Sequence, residues 1–170
     1  ACHFSALPRL FADGHLPCDV GFVQVAPPDS DGNCSLGVGV DYVADAVGHT
    51  RILIAEVNRQ MPATVGSPRI PLSRFAATVE TDRPLLTAPN ARIKPVDERI
   101  AEHVAGIVAD GDTIQIGVGN LPAAVLAALR GHRDLGMHSG MIADGVLDLV
   151  EAGVLTGARK EIDPGLIVTG

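Results

Sequence analysis

A chain of 170 residues with 46% hydrophobic content is long enough to bury a real core and to hold one domain or a little more. Its 13 Lys and Arg against 20 Asp and Glu leave a formal net charge of −7, which opposes a polyanionic partner, so no nucleic-acid role is expected. No apolar run approaches the roughly 18–20 residues that a membrane-spanning helix needs, and the start lacks the pattern of a signal peptide, so we expect no membrane association and a cytoplasmic location.

Residues 4–12 suit a short helix closed by Gly14. Residues 20–25 read as a buried strand, stopped by Pro27, Pro28 and the turn residues that follow, which reverse the chain. Residues 38–40 extend weakly, 42–47 are helix-like, and 51–57 form a second buried strand with little polar alternation. Pro84, Pro89 and Pro95 punctuate a stretch without periodicity, so 84–95 is expected to link a first part, 1–83, to a second, 96–170.

The pattern then restarts. Ile100, Val104 and Ile107 lie at helical spacing within 96–108, with Asp97 and Glu98 at the positive end of the helix dipole. Residues 113–116 read as a strand, 122–129 as an Ala/Leu-rich helix, 136–139 as a short strand and 145–150 as another helix. This order predicts an α/β fold of mostly parallel open sheets with flanking helices. The chain has no initiator Met, and its last residues, 165–170, look like a buried strand without its continuation, so a fragment of a longer protein is expected.

Cys2, Cys18 and Cys34 are odd in number and lack C-x-x-C spacing, and the six histidines show no helical ligand spacing, so we expect reduced thiols and no metal site. The clearest local signal is Gly117-Val118-Gly119-Asn120-Leu121-Pro122 between a strand and a helix. Glycines there permit either a tight turn or close approach of the backbone to an anion or thioester. Pro122 stands where a dinucleotide fingerprint needs glycine, which leaves a nucleotide-dependent oxidoreductase as the weakest reading.

Several segments together resemble one family. Gln24-Val25-Ala26-Pro27-Pro28-Asp29 followed by Gly32-Asn33-Cys34-Ser35-Leu36-Gly37-Val38, the run Glu56-Val57-Asn58-Arg59-Gln60-Met61-Pro62, the loop 117–122 and the stretch 135–149 stand in the order found in the acetyl-CoA hydrolase/transferase family, which includes acetate, butyrate and 4-hydroxybutyrate CoA-transferases. The resemblance covers essentially the whole chain. It implies the C-terminal part of a first CoA-transferase domain over 1–83 and the N-terminal part of a second over 96–170.

In that family a glutamate carboxylate attacks the acyl-CoA carbonyl, and the resemblance puts this nucleophile at the position of Gly140, which cannot perform the attack. It further implies substrate and CoA contacts at Gly117, Gly119, Asn120, Glu56, Asn58 and Gln60, and backbone amides near Gly119 and Asn120 that stabilise an oxyanion. Coenzyme A would be a substrate, with no permanently bound cofactor; the partners would be acyl-CoA and small carboxylates such as acetate, and the protein a homo-oligomer.

The bland readings stay beside these. Glu56 and Asn58 end a strand and can serve turn hydrogen bonds, Gln60 can close the Met61-Pro62 turn, Asn120 and Asp144 can cap helices, and Arg51, Arg59 and Arg83 can be salt-bridged instead of holding CoA phosphates. Ser139 makes a poor substitute nucleophile, because Met137 and Met141 occupy the glycine positions of a nucleophile elbow and His138 should point to the opposite face. A CoA-transferase lacking its nucleophile and a catalytically silent CoA-binding homologue or partner subunit both remain open.

Overall fold

A computed structural model describes residues 2–87 and 91–170. The chain divides into two compact units, Ala1–Thr87 and Ala88–Gly170. Residues 88–90 of the expected linker lie outside the described residues.

The first unit starts with a 3₁₀ turn at Phe4–Ala6 that runs into α1 (Leu7–Ala12). Its main sheet is β1 (Val20–Val25), β3 (Ile52–Asn58) and β5 (Ala77–Thr81), all parallel and in the order β1-β3-β5. Helix α2 (Val43–His49) lies between β1 and β3 in sequence, and its Val47 joins Val25, Leu53, Ala55 and Val57 in the buried core. A short antiparallel pair, β2 (Asn33–Ser35) and β4 (Arg69–Pro71), closes the unit, with Cys34 and Ile70 opposite each other in that core.

Three expectations are corrected here. Residues 38–40 do not extend but turn, and the extended segment lies earlier, at β2, where it finds a partner in β4. Strands β4 and β5 were not expected: β4 has only three residues, and in β5 Ala77 and Val79 alternate with Thr78 and Glu80 for a single short run that is largely exposed along its length. Strand β1, expected to be buried, is covered on one face only. Phe22 is 78% exposed and Val79 on β5 57%, because α2 packs against the opposite face of the sheet.

The second unit begins with α3 (Pro95–Ala105). Pro95 occupies the first turn, where its missing N–H costs nothing, and Asp97 Oδ2 accepts the Lys94 N–H at 2.9 Å. Then come β6 (Thr113–Ile114), α4 (Asn120–Ala128), β7 (Gly136–Ser139), α5 (Asp144–Glu151) and β8 (Val168–Thr169). The sheet is parallel in the order β6-β7-β8. Leu126, Leu129, Met137, Val146 and Leu149 fill its core, joining the helices to the central strand. Strand β6 is shorter than the expected 113–116, because beyond Ile114 the backbone at Ile116 bonds to the Ser139 side chain instead of continuing the ladder. Among the described residues no helix is long and apolar enough to cross a membrane.

Candidate active site

In an open α/β sheet, ligands sit beyond the carboxyl ends of the strands. At that end of the second unit lie three glycines, Gly117, Gly140 and Gly170. Strand β6 pairs with β7 as Thr113 with Gly136 and Ile114 with Met137, and β7 pairs with β8 as His138 with Val168 and Ser139 with Thr169. Gly140 and Gly170 each follow the last paired residue of their strands and stand side by side, while Gly117 lies three residues beyond the end of β6. Two contacts hold these strand ends together. Ser139 Oγ donates to Ile116 O at 2.9 Å and accepts the Ile116 N–H at 3.2 Å, and a Cβ built on Gly170 would lie 3.5 Å from Gly140 O.

Gly140 is exposed, and its φ lies outside the left-handed region. A Cβ built on it meets no atom within 4 Å. The position therefore accepts a side chain without strain. His138 is exposed while Ser139 is buried, as alternation along a strand requires. Ser139 spends its hydroxyl on the Ile116 backbone, a structural use that leaves no partner able to activate it.

After Gly117 the chain turns through Gly119, whose φ of +126° is open to glycine alone, and enters α4 at Asn120. Asn120 does not cap its helix. Its Oδ1 instead accepts the Arg92 N–H at 2.8 Å and holds the segment leading into α3. Asp144 is the first residue of α5 and makes no capping bond, so its charge acts on the helix dipole alone.

In the first unit the carboxyl end of β3 carries Glu56, Asn58 and Gln60. Arg83 grips Glu56 through both oxygens, Nε to Oε1 at 2.6 Å and Nη2 to Oε2 at 2.7 Å, and Thr81 Oγ1 donates to Oε1 at 2.7 Å. Hydrogen bonds from Arg83, then from Thr81, hold the Glu56 carboxyl down at about 2. Glu56 also lines a cavity of about 350 Å³ on the open face of the sheet, whose other walls include Phe22, Ile54 and Val79. Asn58 is fully buried. Its Nδ2 donates to Arg83 O at 2.9 Å, and its Oδ1 accepts the N–H groups of Gln60 and Arg83 at 3.1 and 3.2 Å. Gln60 Nε2 donates to Asp82 Oδ1 at 2.8 Å.

The three arginines weighed for CoA phosphates all face carboxylates: Arg51 with Asp19, Arg59 with Glu80 and Arg83 with Glu56. Among the described residues no group of three or more His, Cys, Asp or Glu is placed to hold a metal ion.

One cluster escaped the sequence reading. Buried Ser35 accepts the N–H groups of Gly37 and Thr64 at 3.1 and 3.2 Å, its hydroxyl lies 3.1 Å from Ser67 Oγ, and Thr64 Oγ1 donates to Gly37 O at 3.0 Å. The Ser-Leu-Gly turn is thus tied to the loop that follows β3. No local pattern could have shown it, because its partners lie about 30 residues apart in the chain.

Known proteins resemble this chain along nearly its whole length. A family model, the acetyl-CoA hydrolase/transferase N-terminal domain, matches residues 1–85. The chain belongs to the acetyl-CoA hydrolase/transferase family. A 4-hydroxybutyrate coenzyme A transferase of Clostridium kluyveri is 42% identical over 167 residues, covering 98% of this chain and 39% of that protein. The crystal structure of a 4-hydroxybutyrate CoA-transferase from Porphyromonas gingivalis superposes with a TM-score of 0.92 at 40% identity, over 99% of this chain and 43% of that one. RipA from Yersinia pestis gives 0.94 at 37% identity, over 99% of this chain and 39% of its own. The chain therefore spans about two fifths of the relatives it matches, and the likeness runs through both units.

Proposed function

We propose that the whole protein has the scaffold of an acyl-CoA:carboxylate CoA-transferase from which the nucleophilic carboxylate has been lost at Gly140. The observation that carries this reading is the position of Gly140: exposed, at the carboxyl end of the central strand, with open space where a side chain would stand. The CoA-transferase names of the relatives support the reaction class.

In this reading a glutamate at that position would attack the acyl-CoA carbonyl and form a mixed anhydride, with CoA leaving as thiolate. The thiolate would then attack the glutamyl carbonyl and release the acid, leaving a glutamyl-CoA thioester. An incoming carboxylate such as acetate would run the steps in reverse, and water in its place would give hydrolysis. The backbone amides at Gly119 and Asn120, next in the chain after Gly117, would bind the oxyanions of the tetrahedral states, a role in which loss of one donor costs about 3 kcal/mol. Gly117 would let the thioester pass close to the backbone. Asn58 would hold the turn that presents Gln60 to the substrate, and the Glu56–Arg83 pair would set the carboxyl end of β3.

A second reading, a silent CoA-binding homologue or partner subunit, is favoured by the same glycine. Mass spectrometry of the full-length Gly140→Glu variant after incubation with acetyl-CoA decides between them. A covalent CoA adduct on the variant, absent from the Gly140 protein, is the expected result. Absence of the adduct from the variant favours the silent homologue.

A further inference from the structure

We propose that in the full-length protein the open face of the β1-β3-β5 sheet is covered by a segment of the same chain that precedes Ala1, packed through an apolar stripe of its own. The proposal names an interaction surface and its occupant, and it stands whether or not Gly140 marks a lost nucleophile.

An all-parallel sheet belongs between two covering layers, and its strands are then apolar on both sides. The first unit has the strands but only one of the layers. Alternation divides the residues of β1, β3 and β5 between two faces. Val25, Leu53, Ala55 and Val57 point to the inner face and are buried there with Val47 of α2. On the outer face the register sets Phe22 beside Ile54 and Ala77, and Gln24 beside Glu56 and Val79. Phe22 is 78% exposed, Val79 57% and Val20, two residues before Phe22 on the same face, 43%. Large apolar side chains gathered on one sheet face are a contact surface.

A second observation lies at the carboxyl edge of this patch. Gln24 Nε2 is buried, and it lies near enough to Glu56 to favour that carboxylate, yet among the described residues it has no hydrogen-bond partner. A buried donor is ordinarily bonded. Gln24 and Glu56 both line the cavity of about 350 Å³ whose other walls are apolar, so the cover that fits has a nonpolar stripe and an acceptor opposite Gln24.

Topology selects the part of the chain that supplies this cover. From β1 to β3 to β5 the strands advance in one direction across the sheet, and right-handed crossovers taken in one direction all fall on one face. The first unit follows that rule. Helix α2 and residues Cys34, Ile70 and Phe75 of the connections share the inner core, and α1 packs against α2. Its helices are thus spent on the inner face, and after β5 the chain enters the second compact unit. The opposite face is reached by winding the other way from the free edge of β1, as in a doubly wound sheet, which in this order of strands falls to the chain ahead of β1. Relatives of this chain are long enough to hold such a segment, since it spans only 39% of the Clostridium kluyveri protein.

The test uses the full-length protein and begins without any substitution. Hydroxyl-radical footprinting should show Phe22 losing most of the oxidation that it undergoes in the urea-unfolded protein, and a Phe22 equally reactive in both states overturns the proposal. The occupant is read by photo-crosslinking, with benzoylphenylalanine in place of Phe22 or, in a second protein, in place of Val79, each mixed as unlabelled and isotopically heavy chains. We expect adducts with peptides that precede Ala1, joining light only to light and heavy only to heavy. Light-to-heavy adducts would assign the face to a second copy, and adducts with peptides that follow Gly170 to a later segment; either overturns the proposal. So does a lack of adducts outside residues 1–170.

Discussion

Arg83 holds Glu56 by a two-pronged ion pair, with both contacts between 2.6 and 2.7 Å, across 27 residues of sequence. It ties the end of β3 to the segment that leaves β5. Because the folded carboxyl sits at about 2, below its ordinary 4.5, the pair stabilises the fold fully above 4.5, and that contribution is lost as pH falls toward 2. Arg83→Met should therefore lower the unfolding midpoint at pH 7, with the gap between the two proteins closing through the window from 4.5 to 2. Urea unfolding at a series of pH values reads this directly, and a gap independent of pH would refute the assignment.

Asn58 supports the same corner from inside. Asn58→Ala would leave the N–H and C=O of Arg83 and the N–H of Gln60 without their partner, at a cost of roughly 2–3 kcal/mol. Asn58→Asp keeps the acceptor but places a carboxylate against Arg83 O, so it should be no less destabilising than alanine. Equilibrium denaturation of both variants checks the order.

Gly37 has φ of +64°, and a Cβ there would overlap Met61 Sδ and lie 3.0 Å from Pro62 O. Gly37→Ala should cost about 2 kcal/mol or more, from the left-handed backbone and the collision together. Against Met61→Ala the same substitution should cost about 1 kcal/mol less, since only the backbone strain and the Pro62 contact remain. A thermal-melt double-mutant cycle gives that coupling.

How much of this was legible in the sequence depends on how local each signal is. The apolar runs of β1 and β3, the turn at Pro27 and Pro28, and the glycine loop before α4 all announce themselves within a few residues. Strands β2 and β4 do not, being three residues each and held by pairing Asn33 with Pro71 and Ser35 with Arg69 across the chain. Nor does β5, an exposed edge strand whose residues lack a buried face. At the site, Gly140 stood out through its neighbours in sequence. Its place beside Gly170 is set by the pairing of β7 with β8, which no single segment contains. The same holds for Glu56 and Asn58, whose shared partner Arg83 lies 27 and 25 residues away in the chain.

Ser139 offers a separate check on where the chemistry resides. Ser139→Ala removes both bonds to Ile116 and should cost roughly 1–2 kcal/mol of stability. In the full-length Gly140→Glu protein the same change should leave the covalent CoA adduct intact, as mass spectrometry would show. Loss of the adduct from a folded protein would assign Ser139 a part in the reaction.

The most direct measurement is CoA transfer from acetyl-CoA to labelled propionate by the full-length protein, with Gly140 and Gly140→Glu compared side by side. The account predicts labelled propionyl-CoA from the glutamate variant and no transfer above background from the Gly140 protein, because only the variant carries the attacking carboxylate. A variant no faster than the Gly140 protein would mean that position 140 is not where the reacting carboxylate belongs.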